Sequence, residues 1–223
     1  LKKGISISII NNCTGIKSID DNILKLYKTG YMHNHIRMYV ASMATNISHC
    51  HWLEPARWMY YYLLDADWGS NALSWQWVSG TFNNRKYIAN QTNINKFTKS
   101  QQVGTFLDDN YDFIANMKIP NNLRKVTSFD LTTTFPEFEK FNLNPNLPTC
   151  IYNFYNLDPE WKKELDCQRV LLLEPSIFNK YPISKKSIDF IVKLSKNIPK
   201  IKIFVGEFDD LVKRNSTVYY KEH

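Results

Sequence analysis

From about residue 18 to residue 79 apolar side chains recur at helical spacing. Ile19, Ile23, Leu24, Leu26 and Tyr27 form one stripe, and Gly30 stands where a helix would stop. Ile36, Val40, Met43 and Ile47 trace a second helix from about His33. Pro55 suits the first turn of a third, which runs through Tyr60-Tyr61-Tyr62. A fourth is expected from near Asp67 to Val78. The pattern breaks over residues 120–149, rich in Pro, Asn and Thr with Pro136, Pro145 and Pro148, which reads as an irregular connector. Beyond it lie an apolar run from Cys150 to Phe154 and a buried-strand run, Val170-Leu171-Leu172-Leu173. A helix over about residues 184–197 follows, with Ser184 as its cap and Ile188, Ile191 and Val192 on one face, then a strand at Ile201 to Val205. Strand, helix, strand is the order of an α/β unit. Gly206 is the one glycine of this half, so no glycine-rich dinucleotide loop can be built there, and no internal repeat is present.

Composition adds limits. A chain of 223 residues and 26.3 kDa with 43% hydrophobic and 22% charged residues has room for one large domain or two small ones with packed cores. The net charge of +7 favours an anionic partner such as nucleic acid, because Lys and Arg release counterions from phosphates. Residues 1–120 carry 12 Lys and Arg against 8 Asp and Glu, and residues 121–223 carry 16 against 13, so the excess forms no basic tail. Cys13, Cys50, Cys150 and Cys167 are far apart along the chain and form no Cys-x-x-Cys pair, which suggests neither a disulfide framework nor a zinc ribbon and suits a reducing cytosol. No apolar run approaches the roughly 20 residues of a membrane helix, and the first residues are not a signal peptide. The expectation is a soluble, cytoplasmic monomer. The chain opens at Leu1 without methionine and stops just after the strand-like Thr217-Val218-Tyr219-Tyr220, so both ends read as cuts in a longer protein.

Five of the six tryptophans, Trp52, Trp58, Trp68, Trp75 and Trp77, crowd one stretch, interleaved with Asp65-Ala66-Asp67-Trp68-Gly69-Ser70-Asn71. On a helix Asp67, Asn71 and Trp75 share one face, while Trp77 points roughly the other way. Asn34, Arg37 and Met38 form a similar set one helix earlier, and Arg37 needs a carboxylate unless it faces solvent, with Asp65 the obvious choice. Two readings of that pair stand side by side: a structural tie between helices, or one wall of a ligand pocket.

Thr14-Gly15-Ile16-Lys17-Ser18-Ile19-Asp20, then Thr29-Gly30-Tyr31-Met32-His33-Asn34-His35-Ile36-Arg37-Met38, then Asp65-Ala66-Asp67 through Asn71 to Trp75-Gln76-Trp77, stand in the order and spacing of the photolyase and cryptochrome family. These blocks resemble the second half of its flavin-binding domain over about residues 13–80, fading by about 115. The resemblance implies a mainly α-helical FAD-binding domain of photolyase type, partial here, followed by a small α/β region. The expected division is residues 1–118 for the helical part, 119–149 for the connector and 150–223 for the α/β region. It further implies that Asn34, Arg37, Asp65, Asp67 and Asn71 contact FAD, with Asn71 facing the flavin N5. Asparagine at that position tilts toward repair rather than reception. Trp75 is similar to the tryptophan beside the flavin and Trp52 to the next one outward, a path for electron transfer. Met38 and Trp77 resemble residues lining the cavity for a flipped pyrimidine dimer of damaged DNA.

Three departures accompany the likeness. The upstream half, with its Ser/Thr-rich contacts to the FAD phosphates, is absent. Where many photolyases carry an arginine followed by Phe-Asn-Pro, the chain reads Lys86-Tyr87-Ile88-Ala89-Asn90-Gln91. The α/β region resembles part of the family's antenna domain yet follows the flavin domain, and the sequence names no antenna chromophore. His49-Cys50-His51 offers metal-binding atoms, but consecutive residues at a helix end point apart, so no metal is expected. His33 and His35 fit hydrogen-bonded structural roles better than proton donation. Tyr60-Tyr61-Tyr62 fits core packing, and Lys162-Lys163 and Lys185-Lys186 fit solvated faces. The expected function is light-dependent repair of pyrimidine dimers by a DNA photolyase. The alternatives are a cryptochrome-type blue-light receptor without repair and a basic helical nucleic-acid-binding module.

Overall fold

The computed structural model describes residues 1–82, 84–213 and 217–221 and opens with a two-residue strand, β1 (Ile5–Ser6), and a one-turn helix, α1 (Ile7–Ile10). Next comes α2 (Lys17–Thr29), whose approach is tied down by Asp20 in its first turn. The Asp20 carboxylate accepts from Thr14 N at 2.8 Å, Thr14 Oγ1 at 2.7 Å and Gly15 N at 3.1 Å. A carboxylate there also lies at the positive end of the helix dipole. Gly30 closes α2 at φ 72°, and a Cβ at this position would run into the Leu64 side chain. Only glycine fits both demands.

The second predicted helix begins as expected, as α3 (Asn34–Ser42), then continues as a π-helical turn over Met43–Ile47, which apolar spacing does not reveal. The amide of Asn46 in that turn donates to Val78 O at 3.0 Å and Tyr87 O at 2.8 Å, and Ser42 Oγ donates to Tyr87 O at 2.7 Å. Helices α4 (Leu53–Tyr62) and α5 (Trp68–Ser79) follow close to their expected places. Two further helices, α6 (Gln91–Thr98) and α7 (Tyr111–Asn116), escape the apolar pattern because their sequences are short and rich in weak helix formers. Each is started by an asparagine: Asn90 Oδ1 accepts from Asn93 N, and Asn110 Oδ1 from Phe113 N, both at 2.9 Å.

The chain divides into two units, Leu1–Leu131 and Thr132–His223. The stretch expected as a connector is shared between them. In the first unit a 3₁₀ turn (Asn121–Leu123) leads into β2 (Val126–Thr127), which pairs antiparallel with β1. In the second, Thr133 Oγ1 accepts from Ile183 N at 2.8 Å and donates to Ile183 O at 3.1 Å. That second unit holds β3 (Thr149–Tyr152), β4 (Gln168–Leu173), α8 (Pro175–Lys180), α9 (Lys185–Ser195), β5 (Lys202–Val205), α10 (Phe208–Val212) and β6 (Val218–Tyr219). Its strands run parallel in the order β5-β4-β3-β6, with Cys150 opposite Arg169 and Leu171 opposite Ile203. Val170–Leu173 is buried throughout, as a strand covered on both faces must be. Ser184 caps α9 as expected, its side chain accepting from Ser187 N. Among the described residues no helix is long and apolar enough to cross a membrane.

One buried core unites the helical unit, with Ile19, Ile23, Leu26, Tyr39, Trp58 and Trp75 among its members. Trp58 is almost fully buried, and its Nε1 donates to Tyr27 Oη at 3.1 Å, while Tyr27 Oη donates to Ile10 O at 2.7 Å. Tyr39 Oη donates to Asn93 Oδ1 at 2.7 Å. Burial lifts both tyrosine hydroxyls well above their ordinary value. The folded state therefore holds these protons more tightly than the unfolded chain does. The resulting stabilisation is complete below about pH 10 and is lost as pH rises beyond it. Urea midpoints measured between about pH 8 and about pH 11 are expected to fall above about pH 10. Tyr27→Phe should flatten that fall and, near pH 8, lower stability by about 1–3 kcal/mol because the Trp58 N–H loses its acceptor.

Candidate functional site

Three elements converge on one cavity of about 170 Å³. Helix α3 supplies Asn34, Arg37 and Met38, the loop before α5 supplies Asp65 and Asp67, and α5 supplies Asn71 and Trp75. The i, i+4 spacing read from the sequence thus puts these α5 side chains on one wall. Ser70, Ser74 and Val78 line it as well, and Met59 and Leu63 at the end of α4 add apolar floor. Sequence reasoning missed these, although Ser74 and Val78 continue the face already marked by Asn71 and Trp75.

Arg37 is fixed at both ends of its guanidinium. Nε donates to Met32 O at 2.7 Å, and Nη2 donates to Asp65 Oδ1 and Oδ2, each at 2.9 Å. Arg37 is 23% exposed and Asp65 56%, so the pair adds only about 0–1 kcal/mol of stability and serves chiefly to orient the cation. Leu64 N donates to Gly30 O at 2.9 Å, which brings the loop carrying Asp65 and Asp67 against the turn before α3. Asp67 is the N-cap of α5, its Oδ1 accepting from Ser70 N at 2.7 Å. Asn71 Nδ2 donates to Ala56 O at 2.9 Å, which sets the plane of its amide.

The tryptophans separate by environment. Trp75 is 2% exposed and lines the cavity. Trp52 is half-buried, lies outside the cavity lining, and has its ring 5.7 Å from that of His51. Trp77 is also outside the lining. It is 43% exposed, and its ring lies 5.5 Å from Tyr87 at an interplanar angle of 32°. Tyr87 is the residue that sequence reading undervalued. Its backbone is clamped by Val78 O at 2.9 Å through its N–H and by Ser42 and Asn46 at its carbonyl. His33 accepts from His35 N and stacks on the His35 ring, which stacks in turn on Phe97 at 4.2 Å. Among the described residues no three His, Cys, Asp or Glu side chains come together to hold a metal ion.

Complete small-molecule pockets measure about 300–1,000 Å³, so this cavity has the size for one part of a large ligand. Its polar lining is a fixed cation, two carboxylates and two amides, with an indole and an apolar floor. Such a set suits a planar heterocycle with hydrogen-bonding edges, which is the demand an isoalloxazine makes. Residues 10–136 match the family model for the FAD binding domain of DNA photolyase, and the chain belongs to that family.

The match runs well beyond residues 13–80, where the motif blocks lie. Over 68 residues, 30% of this chain, it is 41% identical to a deoxyribodipyrimidine photo-lyase of Streptomyces griseus, of which that stretch is 15%. It is 35% identical over 68 residues to cryptochrome-1 of Arabidopsis thaliana, covering 30% of this chain and 10% of that protein. Against cryptochrome DASH of Danio rerio it is 28% identical over 159 residues, 69% of this chain and 28% of the relative. The chain therefore matches only a minor part of the length of these relatives. No solved structure matches it.

Asp67 caps a helix and lines the cavity, and two substitutions separate these duties. Asparagine caps as well as aspartate, so Asp67→Asn should keep the unfolding free energy within about 0.5 kcal/mol of the parent, whereas Asp67→Ala should lose about 1 kcal/mol, both read from urea unfolding. Both should lower the flavin bound per protein, read from absorbance, because both remove the carboxylate. Equal flavin content in the parent and Asp67→Asn would make Asp67 a cap alone.

Proposed function

We propose that this chain is the flavin-side part of a light-dependent DNA repair protein that splits pyrimidine dimers. The observation that carries this reading is the convergence of Arg37, Asp65, Asp67, Asn71 and Trp75 on one cavity, in a chain of the photolyase family. Bound FAD, reduced and excited by light, would supply the electron that opens the dimer. The protein's work is then holding and excluding. Arg37, locked by Met32 and Asp65, presents a fixed cation to the electron-rich edge of the ring. Asn71, oriented by Ala56, presents its amide to the ring's N5 edge. Asn34 and Asp67 complete the polar border, and the surrounding apolar groups keep water out.

Trp75, buried at the cavity, and Trp52, nearer solvent, form the proposed route by which the cofactor is recharged with electrons. Met38 borders the proposed dimer cavity. The tilted faces of Trp77 and Tyr87 offer a stacking surface for a base taken out of the duplex, worth about 1–3 kcal/mol per base. This arrangement puts an aromatic ring beside Trp77 in the stretch where many relatives carry the arginine motif. The net charge of +7 favours the phosphate backbone. A second reading, a blue-light receptor without repair, is favoured by the cryptochromes among the relatives.

The test is the absorption spectrum of the complete protein, followed by illumination with an oligonucleotide carrying a defined dimer. Flavin bands with restored bases are expected. Flavin bands without restoration would favour the receptor reading, and a colourless protein would favour the basic helical module. Trp77→Ala and Tyr87→Ala should each weaken dimer binding by about 5- to 150-fold, the equivalent of about 1–3 kcal/mol, while flavin photoreduction proceeds at the parent rate.

A further inference from the structure

In the second unit two thiols distant in sequence meet. Cys150 lies in β3 and is fully buried, whereas Cys167 directly precedes β4 and is partly exposed. The Cys167 S–H donates to Cys150 Sγ at 3.1 Å. Parallel register explains the meeting, since Cys150 pairs with Arg169, two residues beyond Cys167. Tyr152 and Ile198 pack around the pair together with Trp161 and Leu165.

Arg169 holds the turn that delivers Cys167. Its Nη2 donates to Lys162 O at 2.9 Å, Lys163 O at 3.2 Å and Leu165 O at 3.3 Å, and its Nη1 donates to Cys167 O at 3.4 Å. Burial, opposed in part by the nearby Arg169 cation, pushes the Cys150 thiol up to about 12. The two cysteines are therefore unequal, an outer thiol within reach of reagents and a buried inner one that gives up its proton less readily.

We propose that Cys150 and Cys167 form a thiol–disulfide exchange site that takes a small-molecule disulfide as its oxidant. Cys167 gives up its proton to water, and its thiolate attacks one sulfur of the reagent. The reagent's S–S bond breaks, and the departing thiolate takes up a proton. Cys150 then gives up its proton to water and its thiolate attacks Cys167 Sγ, breaking the mixed S–S bond and releasing the second reagent thiolate, which takes up a proton. Two protein thiols are oxidised to one disulfide, and one reagent disulfide is reduced to two thiols. Closing from 3.1 Å to a bond of about 2.05 Å needs a shift of about 1 Å. The closing step requires the Cys150 thiolate, so its rate should rise about tenfold per pH unit across neutral to mildly alkaline pH. None of this chemistry draws on the cofactor site.

The experiment treats the intact protein with oxidised 2-mercaptoethanol, traps remaining thiols by alkylation and maps the peptides by mass spectrometry without reduction. The expected product joins Cys150 to Cys167, leaving the buried Cys50 alkylated only after denaturation. In Cys150→Ser the reagent should stay attached to Cys167 as a mixed disulfide. A parent protein that accumulates that mixed disulfide without closing overturns the proposal, and so does one whose Cys167 reacts no faster than Cys50. Because the decisive product forms in the unaltered chain, a poorly folding variant leaves the test intact.

Discussion

The site rests on how the Arg37 guanidinium is held. An arginine has five donor hydrogens on a long flexible stem, and without restraint it would sample many directions. Met32 O takes the hydrogen of Nε, and the Asp65 carboxylate takes those of Nη2, so the group is anchored from two separate turns. Both turns depend on Gly30. Its left-handed backbone ends α2, its carbonyl accepts from Leu64, and its missing side chain makes room for the Leu64 side chain. The backbone choice at one residue thus sets the distance between a cation on one helix and the carboxylates that lead into another.

Fold and site were legible in the sequence to different depths. Helices α2 and α3 announce themselves through apolar recurrence because each buries one face in a shared core, whereas α4 shows through Pro55 in its first turn. The lining from α5 follows from helical geometry alone, since Asn71 and Trp75 are one turn apart and Asp67 is the natural cap just before them. The Arg37 to Asp65 pair was foreseeable because a partly buried guanidinium seeks a carboxylate. The family blocks supplied what geometry could not, the identity of the heterocycle.

Other features stayed hidden for physical reasons. A π turn leaves the apolar period nearly unchanged over five residues, so Met43–Ile47 reads as ordinary helix. Helices α6 and α7 owe their existence to asparagine caps and tertiary contact rather than to propensity. The Trp77 and Tyr87 rings meet across a loop whose path is set by Asn46 and Ser42, and no spacing rule connects them. Cys150 and Cys167 look unrelated until parallel strand pairing fixes their register.

The π turn carries an implication for how the protein could diverge. It accommodates one residue more than a regular turn, and Asn46 at its heart grips both Val78 and Tyr87. Loss of a single codon upstream of Asn46 in this turn would remove that extra residue and rewind the segment to α geometry, shifting the Asn46 amide from its present place. Arg37 and Met38 lie before the turn and would keep their places, while the Tyr87 carbonyl would lose the Asn46 amide and keep Ser42. A change confined to this turn would therefore alter the support of the loop that carries Tyr87 while sparing the Arg37 wall of the cavity.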